Sequence, residues 1–332
     1  MTWRERRIVT FLSGVLGILL IALLLVLGMK YRENRDEEEA AVSAAAVLEE
    51  ESACTALSYY NGTAMLDFTR NQKNQWIWAA DDDFPLDETF ITDILDSISD
   101  LAPQETYESV ESLEALGLDN PRSYLSASYQ SGTTFSISFG STTADGSGVY
   151  AIHNEKTAPV YLYSAEVLDL LNYGVYDMCV LPDFPELPEE RIQRITIQGT
   201  ANAEGVVPRF TMDSSKNGEK LIWKCESRTV TNAQRVRNLF TDLPTLEFTK
   251  CISYRPSEEA AALCGFNAPI ATIWANYTTA TDLEEHFQLV IGDLTLDGQS
   301  RYVRLNGEET IYSVSLDMLD AILVIAQNGF GM

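Results

Sequence analysis

Apolar residues form one uninterrupted block near the start of the chain, from Ile8 to Met29, and no charged residue lies within it. A helix of that length spans the roughly 30 Å hydrocarbon core of a bilayer. A cleaved secretory signal is the alternative, but its apolar region is only about 7 to 15 residues long and ends at a small-residue site. We therefore interpret residues 8–29 as an uncleaved transmembrane anchor.

The charges beside this block do not fix its orientation, because basic residues flank both ends equally. They are Arg4, Arg6 and Arg7 on one side and Lys30, Arg32 and Arg35 on the other. A short tail before a large downstream region is typical of a translocated domain behind a signal anchor. We expect residues 1–7 in the cytoplasm, an acidic helical or flexible stalk over 30–53, and the remaining chain outside the cytoplasm.

Downstream of the stalk, one pattern occurs twice at an offset close to 150 residues. Trp78 and Trp223 are related by an offset of 145. At the same offset, the i, i+3, i+4, i+7 spacing of a buried helix face occurs in both copies. Its members are Ile91, Ile94, Leu95 and Ile98, followed by Val236, Leu239, Phe240 and Leu243.

Strand and turn patterns repeat in the same order. The alternating strand 135–139 recurs at 287–291, and the Gly-to-Pro turn 117–121 recurs at 265–269. Ser164 and Ser315 each precede an acidic residue and an apolar stripe, which is the pattern of a capped helix start. Because the offset drifts only from 145 to 152 across the whole set, we interpret the pattern as an internal duplication.

Together these elements predict an α+β fold. An N-terminal transmembrane helix would be followed by two repeated modules, each an antiparallel sheet with two amphipathic helices. The first α+β repeat would cover residues 54–176 and the second residues 190–332. Residues 177–189 include three prolines within a short stretch, which suits a stiff linker between the modules.

Charge excludes one class of partner. The 332 residues carry a formal net charge of −26, whereas binding to nucleic acid depends on clustered Lys and Arg that release counterions. A solvated acidic surface is the simplest explanation of the excess carboxylates, although they would also attract cations or a basic partner.

Catalytic chemistry has little support in the sequence. The two histidines, His153 and His286, do not correspond in the repeat, and we interpret both as surface residues. Serine-hydrolase, zinc-protease and phosphate-loop motifs are absent from the sequence. We therefore assign no catalytic, cofactor-binding or metal-ligand residue and expect no enzyme activity and no cofactor. A hydrolase with an unfamiliar site remains an alternative.

Cysteine spacing also argues against a structural zinc site, because no C-x-x-C pair occurs. The five cysteines are Cys54, Cys179, Cys225, Cys251 and Cys264. Free cysteine packs as a small hydrophobic residue, and we take that as the default. A disulfide between Cys251 and Cys264 is the alternative, which an exported location would allow.

Two acidic clusters, 81–83 and Asp293 with Asp297, offer the oxygen ligands that Ca²⁺ prefers. Asp297 precedes Gly298, however, and Asp-Gly between two strands is a typical hairpin turn. For 81–83, a loop before a helix is the simpler interpretation. Four aromatic residues would suit a sugar-stacking platform, but core packing is the favoured interpretation; they are Tyr59, Tyr60, Trp76 and Trp78.

The Trp strand with its following helix, the turn 117–121 and the strand 135–140 leading to Tyr150 resemble the bacterial family called domain of unknown function 4340. The resemblance implies an extracytoplasmic, membrane-anchored module of unassigned activity, encoded in some members with ABC-transporter components of the gliding-motility type. It implies no catalytic residue. The long acidic stalk and the cysteines of the second copy depart from the simplest family pattern.

We therefore expect a non-enzymatic, single-pass cell-envelope protein that acts in interaction or scaffolding. Residues 8–29 would contact the lipid bilayer, and a membrane-protein partner such as the subunits of an ABC-type transport complex would bind the exported region. The alternative is an extracytoplasmic binding module for a cation or a cell-wall glycan.

Overall fold

The computed structural model describes residues 54–218 and 220–331. The predicted tail 1–7, the predicted anchor 8–29 and the predicted stalk 30–53 all lie outside the described residues. Within the described ranges, no helix combines the length and the apolar character needed to cross a membrane.

Strands dominate the described residues, which contain seventeen strands and four α-helices. The strands are β1 Cys54–Tyr60, β2 Met65–Arg70, β3 Trp76–Trp78, β4 Glu105–Tyr107, β5 Ser123–Tyr129, β6 Thr134–Thr142, β7 Gly148–His153, β8 Val160–Ser164, β9 Ile192–Gly199, β10 Arg209–Asn217, β11 Lys220–Cys225, β12 Arg228–Thr229, β13 Lys250–Ser253, β14 Ala271–Thr278, β15 Glu284–Leu294, β16 Ser300–Leu305 and β17 Ile311–Ser315. The helices are α1 Thr89–Ser99, α2 Gln234–Asp242, α3 Glu258–Leu263 and α4 Leu316–Asn328.

The described residues form two compact units. The first contains residues 54–75 and 89–172, and the second contains residues 76–88 with the described part of 173–331. Within the first unit the strand order is β2-β1-β5-β6-β7-β8-β4. The second sheet has the order β12-β11-β10-β9-β14-β15-β16-β17-β13. From β10 onward, the second order repeats the first strand for strand, and the strand pairs are antiparallel.

The predicted α+β fold is wrong. The described residues form two large antiparallel sheets with few helices, and not modules that each carry two amphipathic helices. In the first unit, the apolar stripe after Ser164 forms only a 3-10 helix, Ala165–Leu171. The tighter i→i+3 hydrogen bonding of a 3-10 helix is common in short connecting pieces of this kind. The transmembrane helix of that prediction falls on residues outside the described ranges.

The predicted buried faces are nevertheless confirmed in both units. Helix α1 buries its four predicted apolar residues, and α2 buries Val236 and Leu239. The alternating faces of β6 and β15 are buried as well. The strand residues concerned are Phe135, Ile137 and Phe139 in β6 and Phe287, Leu289 and Ile291 in β15. Each sheet therefore has one face that packs into a core.

A glycine in each sheet permits a close approach of the backbone. A Cβ atom added to Gly140 would lie 2.2 Å from the carbonyl oxygen of Leu116, and one added to Gly292 would lie 2.2 Å from that of Cys264. Real Cβ atoms do not come that close to a carbonyl oxygen. The turn that precedes β5 or β14 can therefore pack on its sheet only where the strand carries no side chain.

We expect Gly140→Ala to lower the free energy of unfolding by about 2 kcal/mol or more, since the backbone at Leu116 must move. Gly146→Ala is the control. Gly146 has a positive φ of 76° but open space around its Cβ position, so its cost is about 1 kcal/mol. Urea unfolding of both variants measures the difference. Equal destabilisation would contradict the close-approach argument.

Candidate functional site

The second unit carries a groove of about 840 Å³. One wall is the proline-rich segment 181–188. The other wall comes from residues 243–248, which follow α2. Both walls belong to the same compact unit, and we call this feature the proline-walled groove.

Aromatic packing holds the proline-rich wall in place. The rings of Phe184 and Phe248 stack with centroids 4.3 Å apart, and Phe248 contacts the ring of Tyr312 at 4.4 Å. Leu187 is only 1% exposed. Proline fixes φ near the value of a polyproline II helix, which has three residues per turn. Phe184 and Leu187, three residues apart, can therefore both face the unit.

The ends of the two walls are also fixed by specific contacts. Trp223 donates a hydrogen bond from Nε1 to Oε1 of Glu189, at 2.8 Å, directly after the proline-rich wall. In the second wall, Leu243 and Leu246 are buried, while Pro244 occupies the start of a 3-10 helix, Leu243–Thr245. The groove is therefore built from segments that are held at several points.

Three carboxylates stand at the rim of the groove. Asp183, Glu186 and Glu247 line it and are exposed. Among the lining residues of this described feature, none is a lysine, an arginine or a histidine, and none is a cysteine or serine. The groove therefore offers apolar surface and negative charge, which suits binding of an apolar segment that carries positive charge.

A smaller pocket of about 300 Å³ lies in the first unit. Its lining includes Tyr107, Val110, Leu116 and Tyr150, which pack against the buried cluster that contains Leu118. Tyr107 hydrogen-bonds to a carboxylate oxygen of Glu105, and this bond raises the pKa of the tyrosine. The pocket is small, and its lining is mainly apolar.

The negative charge of the acidic cluster 81–83 is compensated by an arginine of the same compact unit, Arg255. Its three carboxylates lie with oxygens within 4.8 Å of one another. Arg255 places Nη2 at 2.9 Å from Asp83 and Nη1 at 3.3 Å from Asp81. Tyr254 donates a hydrogen bond to the carbonyl oxygen of Asp83 at 2.9 Å. A bound cation would have to compete with this guanidinium.

The second acidic cluster is a hairpin turn. Thr295 donates a hydrogen bond to Asp297 at 2.6 Å, and Thr143 donates the equivalent bond to Asp145 at the same distance. These bonds lower the pKa of both aspartates, to about 2 for Asp145. Since the two copies share the arrangement, the turn interpretation is confirmed.

The structure places Cys251 beside a different cysteine from the one considered as the alternative disulfide partner. No disulfide joins any of the five cysteines, all of which lie in the described part of the chain. The side chain of Cys251 interacts with that of Cys179, whereas Cys264 and Cys225 are half-buried elsewhere. Cys54 is buried in β1 and donates to the carbonyl oxygen of Ala56.

The two histidines have different environments. His286 is exposed and lies 3.2 Å from the side-chain oxygen of Asn276, as expected for a surface residue. His153 instead stacks on Tyr161 with centroids 4.3 Å apart, and its Nε2 lies 2.9 Å from the Tyr163 hydroxyl. Burial, with a smaller contribution from Lys156, lowers the pKa of His153 to about 4. The prediction of a surface site is therefore wrong for His153.

The aromatic residues considered for a sugar platform belong mainly to the core. Tyr59 is fully buried and Trp76 is 4% exposed. Tyr60 stacks on Tyr124 with centroids 6.1 Å apart, and Trp78 makes an edge contact with Phe84 at 5.5 Å. Core packing is confirmed for Tyr59 and Trp76.

Sequence reasoning missed the proline-walled groove, because it treated residues 177–189 as a linker. A signal was present in Phe184 and Leu187, two large apolar residues spaced three apart among prolines. A solvated linker has no need of such residues, whereas a segment that packs on a domain does.

Residues 76–269 match the family model described as "Domain of unknown function (DUF4340)". The resemblance drawn from the Trp strand and the turn 117–121 is thus confirmed. No curated protein and no solved structure matches the chain. The matched range contains both walls of the proline-walled groove.

We expect the half-buried His153 to make stability depend on pH. Its pKa is lower in the folded chain, about 4, than the ordinary 6.5, so the unfolded chain binds more protons between these values. The stabilisation is present above pH 6.5 and is lost as the pH falls toward 4, by about 2 kcal/mol at pH 4.5. Urea unfolding at pH 7 and pH 4.5 measures it.

The variant His153→Phe keeps a ring but cannot titrate, so its loss of stability between these pH values should be smaller than that of the natural chain. His286→Phe, at the exposed histidine, is the matched control and should behave like the natural chain. An unchanged pH dependence in His153→Phe would refute the assignment.

Proposed function

The chain belongs to the family described as domain of unknown function DUF4340, and from this premise we propose that it is a non-enzymatic interaction protein of the cell envelope. Its proline-walled groove binds an extended, basic segment of a membrane-protein partner. The observation that carries the proposal is the combination of an apolar floor with a rim that contains only negative charge.

Shape and burial support an extended ligand. A groove of about 840 Å³ is within the roughly 300 to 1,000 Å³ of typical binding pockets. Phe184, Phe248 and Pro244 line it, and aromatic and proline surfaces bind extended chains at a low entropic cost. An apolar side chain of the partner would pack against this floor as an anchor.

Charge supports a basic ligand. Asp183, Glu186 and Glu247 surround the floor, and the whole chain carries a formal net charge of −26. Complementary charge steers association and rejects acidic competitors. A lysine or arginine beside the apolar anchor would therefore distinguish the partner from the many apolar segments of a cell envelope.

The membrane location of this interaction rests on the sequence. The apolar block 8–29 would anchor the chain and keep the groove outside the cytoplasm, where membrane proteins expose short loops. The choice of a transport-complex subunit of the ABC type as the partner rests on the family resemblance alone.

The alternative of a cation or glycan module has weaker support. Arg255 already pairs with Asp81 and Asp83, so a cation would have to displace it. Of the aromatic residues considered for glycan stacking, Tyr59 and Trp76 are buried. Binding in the proline-walled groove requires neither the displacement of Arg255 nor the exposure of buried aromatic residues.

We expect a fluorescent peptide of alternating leucine, proline and lysine to bind the full chain, and its glutamate analogue to bind more weakly. The double variant Glu186→Lys, Glu247→Lys should lower the affinity for the lysine peptide by about tenfold, since attraction becomes repulsion at two rim positions. Fluorescence anisotropy at low and high salt measures both effects, and salt should weaken binding.

The matched control is Glu284→Lys, Glu285→Lys, which reverses two exposed charges on β15 that are not among the residues lining the groove. It should change the affinity far less than the rim variant does. Equal effects of the two double variants would show that net charge acts without the groove. Equal binding of the lysine and glutamate peptides would contradict the proposal.

The class of partner can be tested with a photo-crosslinking residue at position 186. The full chain carrying this residue is expressed in the cells that normally make the protein, so that it reaches its native membrane. We expect one membrane protein to be crosslinked through a basic, non-helical segment, and Glu247→Lys to reduce the yield. Crosslinking only to lipid, or to acidic segments, would be evidence against the proposal.

A further inference from the structure

Two separate segments of the second unit are held together beside the proline-walled groove. The 3-10 helix Val175–Met178 packs on strand β13, and Lys250 Nζ lies 2.5 Å from Asp177 Oδ1. Cys179 follows Asp177 by two residues, and Cys251 follows Lys250 directly. The two segments that carry the cysteines are therefore in contact.

Backbone hydrogen bonds fix the position of Cys179. The carbonyl oxygen of Met178 accepts a bond from Asp87 N at 2.8 Å, and Val180 N donates to the carbonyl oxygen of Pro85 at 2.8 Å. Cys179 also forms a bridge with Leu86 in the same segment. Its side chain is thus directed by contacts on both sides.

Strand pairing fixes Cys251 in a similar way. Cys251 lies on β13 opposite Tyr312 of β17 and is fully buried. Cys179 is 6% exposed, and the next residue, Val180, is half exposed. Of the two thiols, Cys179 is therefore the one closer to solvent.

Cys179 Sγ donates a hydrogen bond to the carbonyl oxygen of Val180 at 3.5 Å. The interaction between the two thiols lowers the pKa of Cys179 and raises the pKa of Cys251. A thiol with a lowered pKa forms the thiolate more readily and is the better attacking group. Cys179, the thiol closer to solvent, is therefore the one that a reagent reaches first.

We propose that Cys179 and Cys251 are a redox-active pair that closes to a disulfide by exchange with a low-molecular-weight disulfide. The Cys179 thiolate attacks one sulfur of the reagent, a mixed disulfide forms at Cys179, and the first reagent thiol leaves with a proton. The Cys251 thiolate then attacks Cys179 Sγ and releases the second thiol. The pair loses two electrons and two protons, and the reagent gains them.

The bond would join the two walls of the proline-walled groove at one end. Cys179 precedes the first lining residue of one wall, Leu181, by two residues. Cys251 follows the last lining residue of the other wall, Phe248, by three residues. The closed loop, 179–251, therefore contains both walls, and oxidation limits how far they can separate. This chemistry does not depend on the proposed ligand.

The full chain, purified in detergent in the reduced state and incubated with oxidised glutathione, tests the proposal. We expect peptide mapping to show a Cys179–Cys251 linked peptide and the loss of two of the five thiols. Because the bond constrains a long loop of the unfolded chain, the midpoint of thermal unfolding should rise by roughly 5 °C or more. Dithiothreitol should reverse both changes.

The double variant Cys225→Ser, Cys264→Ser retains the pair and should reproduce both results. Cys179→Ser should remove the linked peptide and the reversible shift in the unfolding midpoint, with circular dichroism as the check that it folds. Persistence of five reduced thiols, or glutathione bound only at Cys225 and Cys264, would overturn the proposal. A linked peptide without a change in the unfolding midpoint would contradict the inference that the disulfide restrains the two walls of the groove.

Discussion

Packing of the Phe184 ring against the second sheet is the contact on which the site depends. Its centroid lies 4.3 Å from that of Phe248 and 6.2 Å from that of Phe287. Phe248 belongs to the opposite wall of the groove, and Phe287 belongs to the buried face of β15. A single side chain therefore joins the proline-rich wall to both its facing wall and the core. Without that contact, Leu187 and the Trp223–Glu189 hydrogen bond would hold only the end of the proline-rich wall.

The prolines reduce the conformational entropy that is lost when this contact forms. A proline-rich segment samples fewer conformations when unfolded, so fixing it on a surface costs less than fixing an ordinary loop. Two apolar anchors, the half-buried Phe184 and the buried Leu187, hold this segment, which lacks regular hydrogen bonding. The prolines also remove three of the eight backbone N–H groups of the wall, which lowers the number of donors that the ligand or water must satisfy.

The sequence predicted those features that depend on local periodicity. The burial of Ile91 and Ile94 in α1 follows from helical spacing, and that of Ile137 and Leu289 follows from strand alternation. The fold class was wrong because periodicity does not reveal how many strands join a sheet. An amphipathic stripe such as 165–171 also gives a similar sequence pattern whether it forms an α-helix or a 3-10 helix.

Site features that depend on distant residues could not be predicted in this way. His153 is half-buried because Tyr161 and Tyr163 lie on the neighbouring strand β8. Cys251 interacts with Cys179 because the segments that carry them, far apart in the chain, are in contact. In the same way, nothing in the run 81–83 indicates that Arg255 compensates its charge. Each of these depends on contacts between residues far apart in the chain, which local periodicity does not reveal.

The two sheets share a strand order but differ at the final edge strand, and this difference accounts for the position of the site. In β4, Thr106 lies opposite Tyr161 and is exposed. In β13, Cys251 lies opposite Tyr312 and is buried. The segment 175–178 packs on β13, and an edge strand that is covered in this way is protected from unwanted pairing. The same cover brings Cys179 to Cys251 and directs the following prolines along the second wall. Protection of one edge strand, the thiol pair and the groove therefore follow from the course of a single segment, residues 175–188.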